Sequence, residues 1–87
     1  MARVILYTTA YCPFCVRAKA LLDQKRAAYE EIRVDLEPMR RGEMMQRSGG
    51  AHTVPQIFIN EIHVGGCDEL HALERQGRLD SLLNQPD

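Results

Sequence analysis

Apolar residues fall along this chain in short runs, and each change in their period marks a new element. Val4 to Thr8 is a compact β-branched and aromatic run closed by the polar Thr9-Ala10-Tyr11 step, the pattern of a buried strand. From Pro13 to about Lys25 the period becomes helical. Cys15, Ala18, Leu21, Leu22 and Lys25 share one face, with Arg17, Lys19 and Asp23 mostly elsewhere. Pro13 suits the first helical turn, where its missing N–H leaves nothing unsatisfied. Tyr29 to Val34 reads as a second strand, short and partly alternating. Asp35-Leu36-Glu37-Pro38 then leads into a second helix that runs to about Arg47 and is closed by Ser48-Gly49-Gly50-Ala51. Gly42 weakens that helix by up to ~1 kcal/mol relative to alanine. Gln56 to Ile59 is a third strand, Asn60-Glu61 a tight turn, and Ile62-His63-Val64 a short partner pairing back. Gly65-Gly66 break that strand before a last helical region, Cys67 to about Leu83, which Gly77 interrupts.

The resulting order, β-α-β-α-β-β-α, is a βαβ unit followed by a β-hairpin and a closing helix. It predicts an α/β domain with helices on both sheet faces. The 87 residues suit one small domain, 1–87, with a modest core, and contain no internal repeat, linker or low-complexity segment.

Composition narrows the function by exclusion. Net charge is −1 and pI about 6.3, with basic residues scattered, so neither a nucleic-acid footprint nor a polybasic membrane patch is visible. No apolar run approaches the ~20 residues of a membrane span. The apolar start Val4-Ile5-Leu6-Tyr7 stops at Thr8-Thr9 with no cleavage-like segment after it, so it reads as a strand and not a signal peptide. A cytoplasmic protein is expected, and a monomer, because no large exposed apolar stripe stands out.

Three cysteines in a reducing compartment do not make a disulfide framework, so redox and metal chemistry are left. Cys12 ends the loop after the first strand and Cys15 lies on the first turn of the following helix. A thiol there faces unpaired N–H groups and the positive end of the helix dipole, and both favour the reactive thiolate. Spacing of three sets Cys15 beside Cys12, near enough to close a disulfide. Cys12, at the exposed end, is the expected nucleophile and Cys15 the resolving thiol. Incidental buried cysteines are the bland alternative. Zinc is the sharper one, since Cys12 and Cys15 with Cys67 and His71 would supply four ligands. Against zinc, Pro13-Phe14 leads straight into a helix and the rest of the chain can fold without metal, so no metal is expected.

Tyr11-Cys12-Pro13-Phe14-Cys15, Thr53-Val54-Pro55-Gln56-Ile57-Phe58 and Gly65-Gly66-Cys67-Asp68 together resemble the active-site, proline and glutathione-binding motifs of the glutaredoxins, in order and separation. The match runs over nearly the whole chain and is most similar to the bacterial glutaredoxin 3 type. It implies a thioredoxin fold, with a four-stranded mixed sheet and helices on both faces, and a cis Val54–Pro55 peptide beside Cys12. It also implies a glutathione-disulfide oxidoreductase of the dithiol type, with glutathione as co-substrate. The enzyme would reduce protein–glutathione mixed disulfides and protein disulfides, ribonucleotide reductase being one candidate partner. Cys12 and Cys15 would be catalytic, and Tyr11, Phe14, Thr53, Val54, Pro55, Gly66, Cys67 and Asp68 would bind glutathione. The helix opened by Gly65-Gly66 would receive the γ-glutamyl carboxylate and Asp68 its ammonium. Arg40, Arg41 and Arg47 are candidates for the glycine carboxylate, with a solvated helix face as the alternative.

Two departures from the family pattern stand out. Thr9 occupies a position where many glutaredoxins carry lysine, which removes one cation near the thiolate; Arg17 and Lys19 are candidates to compensate. The loop Ser48-Gly49-Gly50-Ala51-His52 is longer than in close relatives. Three rivals stay open: a thioredoxin-like enzyme served by a flavoprotein reductase, an iron–sulfur carrier, and the zinc protein. Pro13-Phe14-Cys15 departs from the Cys-Gly-Phe-Ser motif of glutaredoxins specialised for the cluster.

Overall fold

Strand β1 (Val4–Thr8) is buried along its whole length and lies inside the sheet, which is why it carries an unbroken apolar run. The computed structural model describes residues 2–86. β1 pairs in parallel with β2 (Tyr29–Arg33) and antiparallel with β3 (Gln56–Ile59). β3 pairs antiparallel with β4 (Ile62–Gly65), giving the order β2-β1-β3-β4 in a four-stranded mixed sheet.

Strand alternation splits the core in two. Val4, Leu6, Ile57 and Ile59 face α1 (Pro13–Gln24), α3 (Cys67–Arg75) and α4 (Leu79–Leu83), and pack with Ala18, Leu21, Leu22, Leu70, Leu79 and Leu83. Ile5, Tyr7, Ile32, Val34 and Phe58 point the other way and pack with Met44 of α2 (Met39–Arg47). Helices therefore cover both faces, as the thioredoxin-fold resemblance implies.

The α2 face includes a polar group. The buried Tyr7 hydroxyl donates to Glu43 and accepts from Arg47 Nη1 at 2.7 Å. Arg47 also sets its guanidinium 4.7 Å from the Phe58 ring centroid, a cation–π geometry. Burial pushes the Tyr7 phenol up, and the Tyr7 hydrogen bond followed by that of Arg40 holds Glu43 below its ordinary value.

Element ends differ from the sequence expectation in readable ways. The last helical region is two helices: α3 ends at Arg75, and Gly77 takes φ 70°, a left-handed conformation, before α4 begins. α1 stops at Gln24 with Lys25 as its C-cap. The Lys25 ammonium ties α3 and α4 to α1 through Glu74 at 2.8 Å and Asp80 at 3.0 Å. β2 ends at Arg33, not Val34, while β4 runs through to Gly65, one residue past the expected end at Val64. The β3–β4 turn places Asn60 at φ 49° and Glu61 at φ 66°, the paired left-handed residues of a type I′ hairpin.

Candidate active site

Pro13 starts α1 and leaves Cys12 at the N-cap with extended backbone, φ −107° and ψ 103°. A side chain there normally offers oxygen to the first turn. Here sulfur takes that role: the Cys15 N–H donates to Cys12 Sγ at 3.1 Å. The approach to Cys12 is fixed from β2. The Thr8 hydroxyl donates to Glu31 at 2.7 Å, and the Ala10 N–H donates to Asp35 at 3.1 Å. Arg33 grips Asp35 at 2.8 and 2.7 Å and holds its carboxyl well below the usual range, with the Ala10 N–H assisting. Tyr11 adopts φ 55° and turns its ring fully into solvent.

The two thiols occupy opposite environments. Cys12 is half-buried, whereas Cys15 is 1% exposed. Burial first, and the hydrogen bond with Cys12 second, push the Cys15 thiol up to about 12, against the opposing pull of the Thr9 backbone and Lys19. Cys15 is therefore a protonated thiol at neutral pH. All three cysteines are free.

A groove of about 320 Å³ is lined by Phe14, Thr53, Val54, Pro55, Gln56, Gly66, Cys67, Asp68 and Glu69. The Val54–Pro55 peptide is cis, as the resemblance implies, and Val54 O lies 3.9 Å from Cys12 Sγ. Seven of the eight residues assigned to glutathione are thus together in one groove; the eighth, Tyr11, is not among those that line it. At the start of α3 the Gly66 N–H already donates to Glu69 Oε1 at 2.6 Å. The helix N-terminus is therefore partly occupied by its own carboxylate, and an anion docking there has the later N–H groups of the turn to use. Gly65, at φ 117°, has no room for a side chain, since a Cβ would come within 2.9 Å of Glu69 Cγ.

The other candidates fall elsewhere. Arg40 pairs with Glu43 at 3.0 Å and Arg47 lies over the Tyr7 and Phe58 rings. Arg41 donates to the His52 carbonyl at 2.6 Å, which tethers the loop before Thr53 to α2. Lys19 is committed to Glu31 at 3.0 Å, and Arg17 stands 6.0 Å from the Phe14 ring centroid. Cys67 is buried, with Sγ 3.4 Å from His71 Nδ1, and burial pushes its thiol up. Among the described residues no three His, Cys, Asp or Glu side chains are grouped so as to hold a metal ion. Gln56 and Glu69 line the groove but were not expected there. The signal for Glu69 was its place at the third position of the helix after Gly66, where a carboxylate caps the turn. Gln56 carried no signal beyond following Pro55.

Comparison with known proteins agrees with this geometry. The family model described as Glutaredoxin matches residues 4–64. A glutaredoxin of Pseudomonas aeruginosa is 55% identical over 84 residues, 97% of this chain and 99% of that one. Glutaredoxin 3 of Escherichia coli is 52% identical over 83 residues, 95% of this chain and 99% of its own length. Among solved structures, a buckwheat glutaredoxin–glutathione complex superposes with a TM-score of 0.86 at 34% identity, covering 94% of this chain and 76% of that one. With identities of this size over almost the full length, the chain belongs to the glutaredoxin family and is a thiol–disulfide oxidoreductase.

Proposed function

We propose that this protein uses glutathione to reduce protein–glutathione mixed disulfides and protein disulfides, with Cys12 as nucleophile and Cys15 as resolving thiol. The observation that carries the reading is the 3.1 Å hydrogen bond from the Cys15 N–H to Cys12 Sγ at the mouth of α1. That N–H and the aligned helix dipole stabilise negative charge on sulfur, the form that attacks. The groove next to Cys12 offers a cradle of peptide size, and the buckwheat relative is a glutathione complex.

In the monothiol route the Cys12 thiolate attacks the glutathione sulfur of a mixed disulfide, and the protein thiolate leaves. A second glutathione thiolate then attacks the Cys12-bound sulfur, releasing oxidised glutathione and regenerating the Cys12 thiolate. In the dithiol route Cys12 attacks a protein disulfide, and Cys15 loses its proton and attacks Cys12 sulfur to expel the second target thiolate. Two glutathiones then reduce the Cys12–Cys15 disulfide. The order of events follows from the electrostatics. While Cys12 is a thiolate, its charge and hydrogen bond help to keep Cys15 protonated. Once Cys12 is in a mixed disulfide both contributions vanish, and Cys15 becomes easier to ionise when it is needed.

The test is turnover of a small glutathione mixed disulfide coupled to NADPH through glutathione reductase. Cys15→Ser is expected to retain it and to lose reduction of protein disulfides, while Cys12→Ser loses both. A folded Cys15→Ser protein with no turnover would sink the monothiol route, and coupling to thioredoxin reductase instead would replace glutathione as the reductant.

A further inference from the structure

Gln56 is the first residue of β3 and only 4% exposed, yet it makes no hydrogen bond to the helices around it. Its amide Nε2 donates to the Thr53 carbonyl at 3.0 Å and lies 3.4 Å from Thr53 Oγ1. Its Oε1 lies 2.6 Å from Nε2 of His63 on β4. A carbonyl can only accept, so the NH₂ end must face Thr53 and the oxygen must face His63, which therefore carries a proton on Nε2. The His63 ring is itself held against Phe58, with centroids 5.0 Å apart and planes at 32°. Phe58 is 1% exposed and sits under the Arg47 guanidinium. A chain of contacts thus runs from the α2-side core through Phe58, His63 and Gln56 to Thr53, on the wall of the groove.

We propose that Gln56, oriented by His63, is a positioning residue for the peptide that docks beside Cys12; this rests on the glutathione reading above. Thr53, Val54 and Pro55 lie between α2 and β3, outside any helix or strand, and need side chains to hold them. Gln56 engages the Thr53 carbonyl and so fixes the backbone from which the next residue, Val54, faces Cys12 Sγ. No hydrogen bond joins Gln56 to Cys12, so it governs how tightly the peptide docks and not how fast the sulfur reacts. An unheld wall would have to be ordered at the moment of binding, which weakens affinity.

The experiment compares Gln56→Met, which keeps the volume and removes both amide groups, with His63→Phe, which keeps the ring and removes the N–H. Gln56→Met is expected to raise KM for a small glutathione mixed disulfide about five- to tenfold, the worth of roughly one net buried hydrogen bond. Its kcat and the rate of Cys12 alkylation by iodoacetamide are expected to stay within about twofold. His63→Phe is expected to raise KM about two- to threefold, and His63→Gln, which restores an N–H donor, to recover most of that loss. The NMR order parameter of the Val54 amide is expected to fall in ligand-free Gln56→Met. An unchanged KM in folded Gln56→Met, or a fall in kcat at constant KM, overturns the proposal. So does an unchanged order parameter at Val54, which reads the wall without any substrate. Absence of glutathione turnover in the unmodified protein would instead remove the glutathione reading, and the order-parameter measurement would still decide whether Gln56 holds the segment.

Discussion

Two helix N-termini meet at the groove, and they are finished in opposite ways. α1 has no acidic residue in its first turn, and its cap is the sulfur of Cys12. α3 carries Asp68 and Glu69 in its first turn, and Glu69 Oε1 takes the Gly66 N–H at 2.6 Å. Both ends begin with the same unpaired N–H groups and the same partial positive charge. At α1 no carboxylate of the first turn takes them, and Cys12 Sγ accepts the Cys15 N–H instead. At α3 the protein spends part of them on its own carboxylate and gains a firm helix start. In the proposed function one terminus serves the chemistry, and the other is built first for position.

The comparison can be broken first at Gly65. Its φ of 117° and the 2.9 Å approach of a Cβ to Glu69 mean that Gly65→Ala must strain the backbone or displace the cap. A loss of about 2 kcal/mol is expected from the urea midpoint, given the usual cost of a side chain at positive φ. A wild-type midpoint would show that the β4–α3 junction relaxes freely. Glu69→Ala is the milder cut. It is expected to cost about 1 kcal/mol as a lost cap, while KM for a glutathione mixed disulfide stays no higher than wild type because an N–H is released into the groove. A KM raised severalfold would make Glu69 a ligand contact and not only a cap.

The smallest effect concerns the α1 end. The Thr8 hydroxyl, and after it Lys19, hold the Glu31 carboxyl below its ordinary 4.5. A folded-state value below the unfolded one means stability that is complete above about pH 4.5 and is lost as pH falls further. Glu31→Gln should therefore flatten the acid limb of a stability–pH curve by about a few tenths of a kcal/mol, since the carboxylate is partly exposed and screened. An unaltered acid limb would assign that limb to Glu43 and Asp35, which are shifted in the same direction.

Much of this arrangement was legible in the sequence. β1 stood out because a strand covered on both faces reads as a continuous apolar run, and Cys12 stood out because Pro13 announced a helix start directly behind it. Asn60-Glu61 was readable as a hairpin turn from local chemistry. What stayed hidden depends on register between distant segments. Glu43, Arg47 and Tyr7 meet only because α2 lies across β1, so Arg47 read as a surface cation and is instead stacked on Phe58. Gln56 and His63 are seven positions apart, and only the β3–β4 pairing brings them together. Tyr11 is assigned to the ligand by the family resemblance alone, and its left-handed backbone and exposed ring carry no signal in the neighbouring residues.

The strand order has a consequence for how copies of this protein meet. A four-stranded open sheet has two unpaired edges, each a template for adding a strand from another molecule. One edge is β2, where the exposed Glu30 adds a negative charge that a second β2 would repeat, Glu31 being paired with Lys19. The other is β4, only four residues long, with a register shift at Ile57/Phe58 in its pairing to β3 and a glycine at its end. Both margins are thereby ill suited to strand-to-strand pairing with another copy, by charge on one side and by brevity on the other.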